Sequence, residues 1–352
     1  MSRFFSDKYK ELVPYVPGEQ PKTRKYIKLN TNESPFPPSP RAVKMAAEAA
    51  ESLELYSDPD CRDLVKKAAE HFGVKPSEVI MTNGSDEVLN FSFMAFCDAK
   101  HPAVFPDITY GFYPVFAQIN NVPYEEIPLK DDFSIDIEDY VGINRNIYIA
   151  NPNAPTGLLL TLEQIEKIVA SNPDNIVVID EAYIDFGGVS AVPLIKKYDN
   201  LLVTQTFSKS RSMAGARLGF GIADEKLIND LNTIKFSTNP YNINRMTGAA
   251  GIGALEDQEY TDKNCKEIIR TRTWFTAELR KLGFELNDSY SNFVFAKNPS
   301  YDGKKLYLDL KEKGILVRHF DKPRLCQYNR ITIGTEEQMQ TLLDTIKGLM
   351  EE

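Results

Sequence analysis

The chain has 352 residues, of which 42% are hydrophobic and 26% charged, so it is long enough for two domains and has the composition of an ordinary globular protein. Its 41 basic and 50 acidic side chains give a net charge of −9, which disfavours general nucleic-acid binding because phosphate contacts need a basic surface. No apolar run approaches the ~20 residues that span a bilayer, and the N-terminus has no signal-peptide core. The four cysteines are well separated and predict neither a disulfide framework nor a metal site. We therefore expect a cytoplasmic protein.

The first 35 residues are rich in proline and asparagine, and proline at this density blocks both helices and central strands. We therefore expect residues 1–35 to form an extended arm. Two amphipathic helices are predicted to follow it, one over 39–52 with Pro40 near its start and one over 61–72 with Gly73 in the C-cap position.

Short apolar segments alternate with helical ones over the next part of the chain. The predicted strands cover 78–82, 103–106, 123–128, 146–150, 176–180, 201–204 and 218–222. The predicted helices cover 87–97, 110–120, 161–171 and 226–235. Such alternation predicts an α/β fold with a mostly parallel sheet covered by helices on both faces. Ligands of such sheets bind outside the carboxyl ends of the strands. Five turns are therefore expected to face one crevice, namely those after Ile80, Phe105, Ala150, Ile179 and Thr204.

The pattern changes after about Tyr241, where strands become fewer. A helical stretch over 244–282 is predicted to be cut into at least two helices by the glycine-containing region 248–253. Three strands and two helices are predicted after it, over 292–296, 304–313, 314–318, 330–333 and from Glu336 onward. We therefore predict three regions, which are the arm (1–35), a large domain (36–245) and a smaller α+β domain (246–352).

Several predicted strands end in polar residues. The turn Asn83-Gly84-Ser85-Asp86 joins a strand to a helix, and free N–H groups at a helix start favour anions. Asp180 ends a strand that is otherwise apolar. The stretch 204–220 places Lys209 and Arg217 among hydroxyls, which suits an anion pocket. Taken alone, that stretch fits a solvated basic loop about as well, and Asn-Gly turns also occur in hairpins.

An ordered set of motifs decides between these alternatives. In chain order it consists of Gly84-Ser85-Asp86, Tyr110, Asn151-Pro152-Asn153-Ala154-Pro155-Thr156-Gly157, Asp180-Glu181-Ala182-Tyr183, Ser208-Lys209 and Arg217. With this set the chain resembles the fold type I pyridoxal-phosphate aminotransferases, and among them the histidinol-phosphate aminotransferase family. The resemblance covers nearly the whole chain, since it includes 29–35 near the start and 317–324 and 329–334 near the end. It implies a large domain whose mostly parallel sheet lies between helices, with a smaller α+β domain beside it.

The resemblance implies pyridoxal 5'-phosphate as the cofactor and gives three residues catalytic roles. Lys209 would form a Schiff base with the cofactor aldehyde and then, as a free amine, move the proton between the substrate Cα and the cofactor. Asp180 would keep the ring nitrogen protonated, and Tyr183 would hydrogen-bond the ring hydroxyl. A surface-loop lysine and a helix N-cap aspartate are the alternatives for the first two residues.

Further cofactor contacts are implied by the same motifs. The phosphate would be held by the turn at Gly84 with the backbone groups of Ser85 and Asp86, by the hydroxyls of Thr206 and Ser208, and by Arg217. Tyr110 would stack on the ring, although a phenol can equally fill a core, and Asn153 would contact the ring hydroxyl. Many relatives have an asparagine directly before Pro-Thr-Gly, where this chain has Ala154, so Asn153 lies one place earlier. Tyr56 would reach the phosphate of the neighbouring subunit, which implies a homodimer with shared sites.

The resemblance also implies two kinds of anionic substrate, L-histidinol phosphate and glutamate or 2-oxoglutarate, in histidine biosynthesis. Arg330 would grip an anionic group bidentately, and Tyr15, Asn32 and Arg318 would also contact the substrate. A surface strand position is the alternative for either arginine alone. Transamination of aromatic amino acids and decarboxylation of threonine phosphate fit the same apparatus. A cofactor-binding regulator fits less well, because the proline-rich first 35 residues leave no room for a DNA-binding module.

Overall fold

A computed structural model describes residues 2–21 and 24–351. Its strands are β1 (Ile27–Lys28), β2 (Val79–Thr82), β3 (Ala103–Pro106), β4 (Tyr124–Ile127), β5 (Asn146–Ala150), β6 (Val177–Asp180), β7 (Leu201–Thr206), β8 (Gly219–Ala223), β9 (Glu285–Leu286), β10 (Phe293–Lys297), β11 (Ile315–Leu316), β12 (Arg318–His319) and β13 (Asn329–Thr332). Its α-helices are α1 (Pro40–Ala49), α2 (Arg62–Phe72), α3 (Ser85–Phe96), α4 (Tyr113–Ile119), α5 (Leu162–Ser171), α6 (Glu225–Thr238), α7 (Arg245–Glu256), α8 (Gln258–Lys281), α9 (Gly303–Glu312) and α10 (Glu336–Glu351). Within the described ranges, none of these helices combines the length and the apolar character that crossing a bilayer requires.

The central sheet has seven strands in the order β2-β8-β7-β6-β5-β3-β4. β8 runs antiparallel to both of its neighbours, and the other neighbouring pairs are parallel. The α/β class with a mostly parallel sheet, which the sequence predicts, is confirmed.

Apolar cores lie on both faces of this sheet, because successive side chains of a strand point to opposite faces. In β6, Val177 and Ile179 belong to one core and Val178 to another. Every residue of β2, β3, β5, β6, β7 and β8 is buried, whereas the edge strand β4 is exposed over its first three residues. The continuous apolar runs in the sequence are therefore those of a sheet buried on both sides.

A further core surrounds a four-stranded antiparallel sheet of order β12-β13-β10-β9. Phe293 of β10 packs there with Phe275 of α8 and Ile346 of α10. Ala254 of α7 packs instead into a core of the seven-stranded sheet. The domain boundary between residues 245 and 246 stays a prediction.

The stretch 244–282 does form two helices, but the position predicted for the break, 248–253, is wrong. α7 runs through these glycines to Glu256, and α8 begins at Gln258. A β-carbon on Gly253 would lie 2.8 Å from the Cα of Ala42 in α1. The close approach of α1 and α7 therefore explains a glycine inside a helix, where it costs about 1 kcal/mol relative to alanine.

The strand predicted over 314–318 is two strands in different sheets. β11 pairs in parallel with β1, whereas β12 pairs antiparallel with β13. The chain passes from one sheet to the other at Val317, which is buried. The helix predicted over 110–120 begins only at Tyr113, so Tyr110 lies in the turn between β3 and α4.

Candidate active site

A cavity of about 280 Å³ lies at the carboxyl ends of the central strands, and we call it the Lys209 cavity. Nine residues that the sequence predicts for the site line it, namely Ser85, Asp86, Tyr110, Asp180, Tyr183, Thr206, Ser208, Lys209 and Arg217. They come from the turns after β2, β3, β6 and β7, and Ala150 at the end of β5 joins them. The five turns predicted to face one crevice therefore meet in one place.

The N-terminus of α3 opens onto this cavity, and two glycines keep the approach to it clear. Gly84 precedes the helix with a φ of +78°, and a β-carbon there would lie 2.6 Å from the guanidinium of Arg217. A β-carbon on Gly219 would lie 2.3 Å from the backbone nitrogen of Ser85. Free N–H groups at a helix start, beside the Ser208 hydroxyl and Arg217, form a donor set that fits a phosphate.

Predicted cofactor contacts are linked by hydrogen bonds beside this helix. The Thr206 hydroxyl donates to the Ser208 hydroxyl (3.0 Å), which also accepts from Nη1 of Arg217 (3.4 Å). The Asp86 carboxylate accepts from Nη2 of Arg217 (3.1 Å) and from the Tyr110 hydroxyl (2.6 Å). Burial, followed by the charge of Asp86, raises the pKa of Tyr110 well above its ordinary value, so this phenol stays a donor.

Lys209 is half-buried between the N-terminal arm and Tyr183. Its Nζ lies 3.5 Å from the carbonyl oxygen of Thr31 and 5.6 Å from the centre of the Tyr183 ring. Its positive charge favours the ionised form of the nearby carboxylates of Asp180 and Glu33. The surface-loop alternative does not describe this position, because the side chain lines a cavity and faces buried groups.

Asp180 ends β6 with its carboxylate buried. It accepts two hydrogen bonds of 3.2 Å, one from the Tyr113 hydroxyl and one from the backbone nitrogen of Ala182. Burial, with a further contribution from the charge of Asp86, raises the pKa of Asp180 to about 7. A buried carboxylate with so little compensation suits a cation on its cavity side, such as a protonated ring nitrogen. The N-cap alternative does not apply, since Tyr183 is the N-cap residue of the next helical turn.

Asn153 does not reach the Lys209 cavity. Its amide nitrogen donates to the carbonyl oxygen of Ile108 (2.9 Å), and its amide oxygen accepts from the Thr109 hydroxyl (2.7 Å). Both ends of the side chain are therefore used to join two loops. Ala154 lines the cavity instead, so the structure does not bring Asn153 to the predicted ring contact.

A second cavity, of about 550 Å³, adjoins the first, and we call it the arginine cavity. It is lined by the four predicted substrate residues Tyr15, Asn32, Arg318 and Arg330, and it shares Tyr110, Tyr183 and Lys209 with the Lys209 cavity. Tyr15 of the arm stacks on Phe112 with ring centres 4.2 Å apart. Asn32 donates a 2.9 Å hydrogen bond to the Tyr183 hydroxyl. The arm thus forms a wall of this cavity.

Arg318 and Arg330 lie directly opposite each other on β12 and β13. Like charges in that position destabilise a sheet. Arg318 donates to the carbonyl oxygens of Val16 (3.1 Å) and Pro17 (3.2 Å), and Arg330 donates to that of Asn30 (3.1 Å). The Nε of Arg330 is buried without a partner in the described part of the chain, and burial lowers the pKa of this guanidinium. Two cations whose hydrogen-bond acceptors are neutral are a donor set that suits an anion.

Tyr56 lines neither cavity of its own chain. Its side chain is 80% exposed and stacks on Tyr241 with ring centres 4.7 Å apart. Leu53 and Leu55 are exposed beside it. Clustered apolar side chains on a surface are typical of a contact with another molecule, and the predicted role of Tyr56 in a neighbouring subunit stays a prediction.

The sequence motifs give no role to three residues that the structure places in the site. Tyr113 reads as a core residue of an apolar helix, yet its hydroxyl donates to Asp180. A buried tyrosine needs a hydrogen-bond partner for its hydroxyl, and this requirement is the one feature of the sequence that could have indicated the role of Tyr113. Thr31 and Glu33 line the Lys209 cavity, and Lys28 donates a 2.7 Å hydrogen bond to Glu33.

Known proteins are similar to this chain in sequence and in fold. The chain matches the family model described as aminotransferase class I and II over residues 24–346. It is 51% identical to the histidinol-phosphate aminotransferase of Brachyspira hyodysenteriae, with 100% of each chain covered. The histidinol-phosphate aminotransferase of Sinorhizobium meliloti, solved in complex with pyridoxal-5'-phosphate, superposes with a TM-score of 0.84 at 25% identity over 93% of this chain and 92% of that one. The enzyme of the same name from Clostridium acetobutylicum gives 0.85 at 26% identity over 92% and 98%.

Proposed function

Because the chain belongs to the class I and II aminotransferases, a family of pyridoxal-phosphate-dependent enzymes, we propose that it exchanges the amino group between L-histidinol phosphate and 2-oxoglutarate. The resemblance to this family and the fold type I architecture, both predicted from the sequence, are confirmed. The observation that carries the proposal is the opposed pair Arg318 and Arg330 in the cavity that adjoins Lys209. Both proposed substrates are anions, and such a pair binds an anion more readily than a neutral side chain.

The residues of the Lys209 cavity fit pyridoxal 5'-phosphate. The free helix start behind Gly84, with Ser208 and Arg217, would hold its phosphate. Asp180, buried and weakly compensated, would hold its ring nitrogen in the protonated form. When bound, this cofactor supplies an aldehyde that reacts with amines and a ring that withdraws electrons from the donor's Cα.

Lys209 would hold and move the proton during the exchange. Its side chain lines both cavities, so its amine can reach a substrate held in the arginine cavity and act as the general base at Cα. The Tyr183 hydroxyl accepts a hydrogen bond from Asn32, so its own proton remains available to a ring oxygen. The two side chains would therefore act on different atoms.

The arginine cavity would bind the anionic group of each substrate in turn. The backbone carbonyls that Arg318 and Arg330 now contact are neutral, and a phosphate or carboxylate forms stronger, charge-assisted bonds with a guanidinium. Burial raises the pKa of Tyr15, which keeps this phenol neutral and able to donate. Several donors that do not impose one geometry would accept both the phosphate of histidinol phosphate and the carboxylates of glutamate.

A homodimer belongs to the same proposal. Tyr56 would complete the phosphate site of the neighbouring subunit, and its exposed ring and the leucines beside it would be covered there. Sedimentation equilibrium would measure the mass in solution. A protein that remains monomeric at the concentration of the activity assay, and is active, contradicts this part of the proposal.

The proposed reaction is tested with single amino donors. Protein loaded with cofactor is mixed separately with L-histidinol phosphate, glutamate, phenylalanine and threonine phosphate, and the change in cofactor absorbance is followed. We expect histidinol phosphate and glutamate to react. A response to phenylalanine but not to histidinol phosphate would favour aromatic transamination, and release of carbon dioxide from threonine phosphate would favour the decarboxylase.

Arg330→Ala is expected to raise the KM for glutamate about 10- to 100-fold, because it removes a buried charge-assisted contact with the substrate anion. The dissociation constant of the cofactor should change far less, since Arg330 lines the arginine cavity but not the Lys209 cavity. Steady-state kinetics and cofactor titration measure the two quantities. Arg270→Ala is the control, because Arg270 is an exposed arginine that pairs with Glu267 and Glu336 on the surface. The reverse pattern, weak cofactor binding with an unchanged KM, would remove Arg330 from the substrate site.

A further inference from the structure

The side chain of Asp86 has no role in the contacts proposed so far. Asp86 is the second residue of α3, where its backbone N–H would face the cofactor phosphate. Its carboxylate accepts a 2.6 Å hydrogen bond from the Tyr110 hydroxyl and a 3.1 Å hydrogen bond from Nη2 of Arg217. The two donors come from different parts of the chain, the turn after β3 and the segment before β8. One carboxylate therefore joins the residue proposed to face the ring with the residue proposed to bind the phosphate.

Arg217 needs this partner in order to keep its orientation. Its side chain is 47% exposed, and its other contacts are two hydrogen bonds of 3.4 Å from Nη1, to the Ser208 hydroxyl and the carbonyl oxygen of Ala214. A long, exposed side chain loses considerable rotamer entropy when it is held in one place. The bond to Asp86 is shorter and charge-assisted, so it contributes most to that restraint.

Tyr110 depends on the same carboxylate. The bond to Asp86 is the one hydrogen bond that its hydroxyl forms within the described residues. Its ring contacts those of Phe112, Tyr113 and Tyr15, with centres 5.6, 5.7 and 6.4 Å away, and these contacts give the hydroxyl no hydrogen-bond partner. An aspartate in the first turn of a helix is also favoured by the helix dipole.

We propose that Asp86 is a positioning residue, whose carboxylate holds Tyr110 and Arg217 in the arrangement that receives the cofactor before the cofactor binds. This inference rests on the proposed function, because it assumes that pyridoxal 5'-phosphate occupies the Lys209 cavity. The two hydrogen bonds of Asp86 would affect the binding of different parts of the cofactor. The bond to Arg217 supports phosphate binding, and the bond to Tyr110 supports ring binding.

Asp86→Asn separates the two bonds. The amide oxygen of asparagine can still accept from Tyr110, whereas its NH₂ group would present a donor to the guanidinium of Arg217. The probes are pyridoxamine 5'-phosphate and pyridoxamine, which lack an aldehyde and therefore do not bond covalently to Lys209. Titration calorimetry on the cofactor-free chain should show pyridoxamine 5'-phosphate binding weakened about tenfold and pyridoxamine binding within about twofold of the native value. Tyr110→Phe, which keeps the ring and the carboxylate, should weaken both probes by a similar factor.

Asp63→Asn is the matched control, because Asp63 is the second residue of α2 and lines neither the Lys209 cavity nor the arginine cavity. It should leave both affinities unchanged. Thermal unfolding of each cofactor-free variant is followed in parallel, to show whether the variant folds. Tyr110→Phe tests the contribution of the Tyr110 bond to ring binding even if Asp86→Asn does not fold. An affinity of Asp86→Asn for pyridoxamine 5'-phosphate that equals or exceeds the native one overturns the inference, as does equal weakening of both probes. If the native chain binds neither probe, the proposed function fails first and the inference fails with it.

Discussion

Lys209→Ala is expected to lower the rate of amino-group transfer by about 10⁴-fold or more and to abolish the visible absorbance of covalently bound cofactor. In the described part of the chain, Lys209 is the one lysine that lines the Lys209 cavity. Its loss would remove both the amine proposed to bond to the cofactor and the base proposed to move the proton, and such contributions to a rate are individually large. An absorbance spectrum and a steady-state assay with L-histidinol phosphate measure the two effects.

The control for this substitution is Lys322→Ala. Lys322 lines the arginine cavity but not the Lys209 cavity, so its variant should keep the cofactor absorbance whatever happens to the KM. Borohydride reduction of the native protein, followed by peptide mass spectrometry, should place the cofactor on Lys209. Retained absorbance in Lys209→Ala, with the label on another lysine, would reject Lys209 as the site of attachment.

The sequence predicts the position of the candidate site because the central sheet is buried on both faces. The sequence alone therefore distinguishes a continuous apolar run such as 176–180, which is typical of a fully buried strand, from the amphipathic segments around it. Gly73 ends α2 in the left-handed conformation expected of a helix C-cap. Parallel strands end at one edge of a sheet, so the polar residues that follow them, among them Ser85 and Lys209, meet at one cavity.

The features that the sequence does not predict depend on contacts between segments far apart in the chain. Gly253 reads as a helix breaker unless the backbone of α1 is known to lie against it. Tyr113 reads as core because its neighbours are apolar, and the bond from its hydroxyl to Asp180 follows only from the fold. Asn153 has the right chemistry for a ring contact, but two loops use its amide instead. Periodicity describes one element at a time and contains none of these pairings.

Asp180→Asn is expected to stabilise the cofactor-free protein at about pH 8. Burial raises the pKa of Asp180 to about 7, against an ordinary value of 3.8. Between these values the folded protein holds a proton that the unfolded chain has released, so the free energy of unfolding falls as the pH rises through this window. The contribution is fully present below pH 3.8 and lost above about pH 7, and a difference of roughly three units corresponds to about 4 kcal/mol. Asparagine is neutral throughout and can keep hydrogen bonds to Tyr113 and Ala182, so its thermal unfolding should depend less on pH.

Glu181→Gln is the matched control for the stability effect. Glu181 is the next residue, and burial likewise raises its pKa to about 7. Its carboxylate accepts from the Ser190 hydroxyl (2.6 Å), the backbone nitrogen of Ala191 (2.6 Å) and the amide of Gln205 (2.8 Å), and it does not line the Lys209 cavity. Its replacement should also reduce the pH dependence of unfolding, and it should leave the cofactor spectrum and the rate close to native.

The same Asp180→Asn substitution is expected to lower the rate of transfer about 10³-fold, because asparagine cannot hold a proton on the cofactor ring. A carboxylate ~4 Å from a protonated ring nitrogen contributes about 4 kcal/mol at an effective dielectric of ~20, which is roughly three pK units. Asp180 is buried and accepts two hydrogen bonds of 3.2 Å, so its charge destabilises the cofactor-free protein. With the cofactor in the proposed position, the same charge would stabilise the protonated ring nitrogen. Stability without cofactor and activity with cofactor should therefore change in opposite directions. If the variant keeps the native rate within about tenfold, another group holds the ring proton. If the cofactor-free variant is less stable than the native protein at about pH 8, burial of the charge does not set the pKa of Asp180.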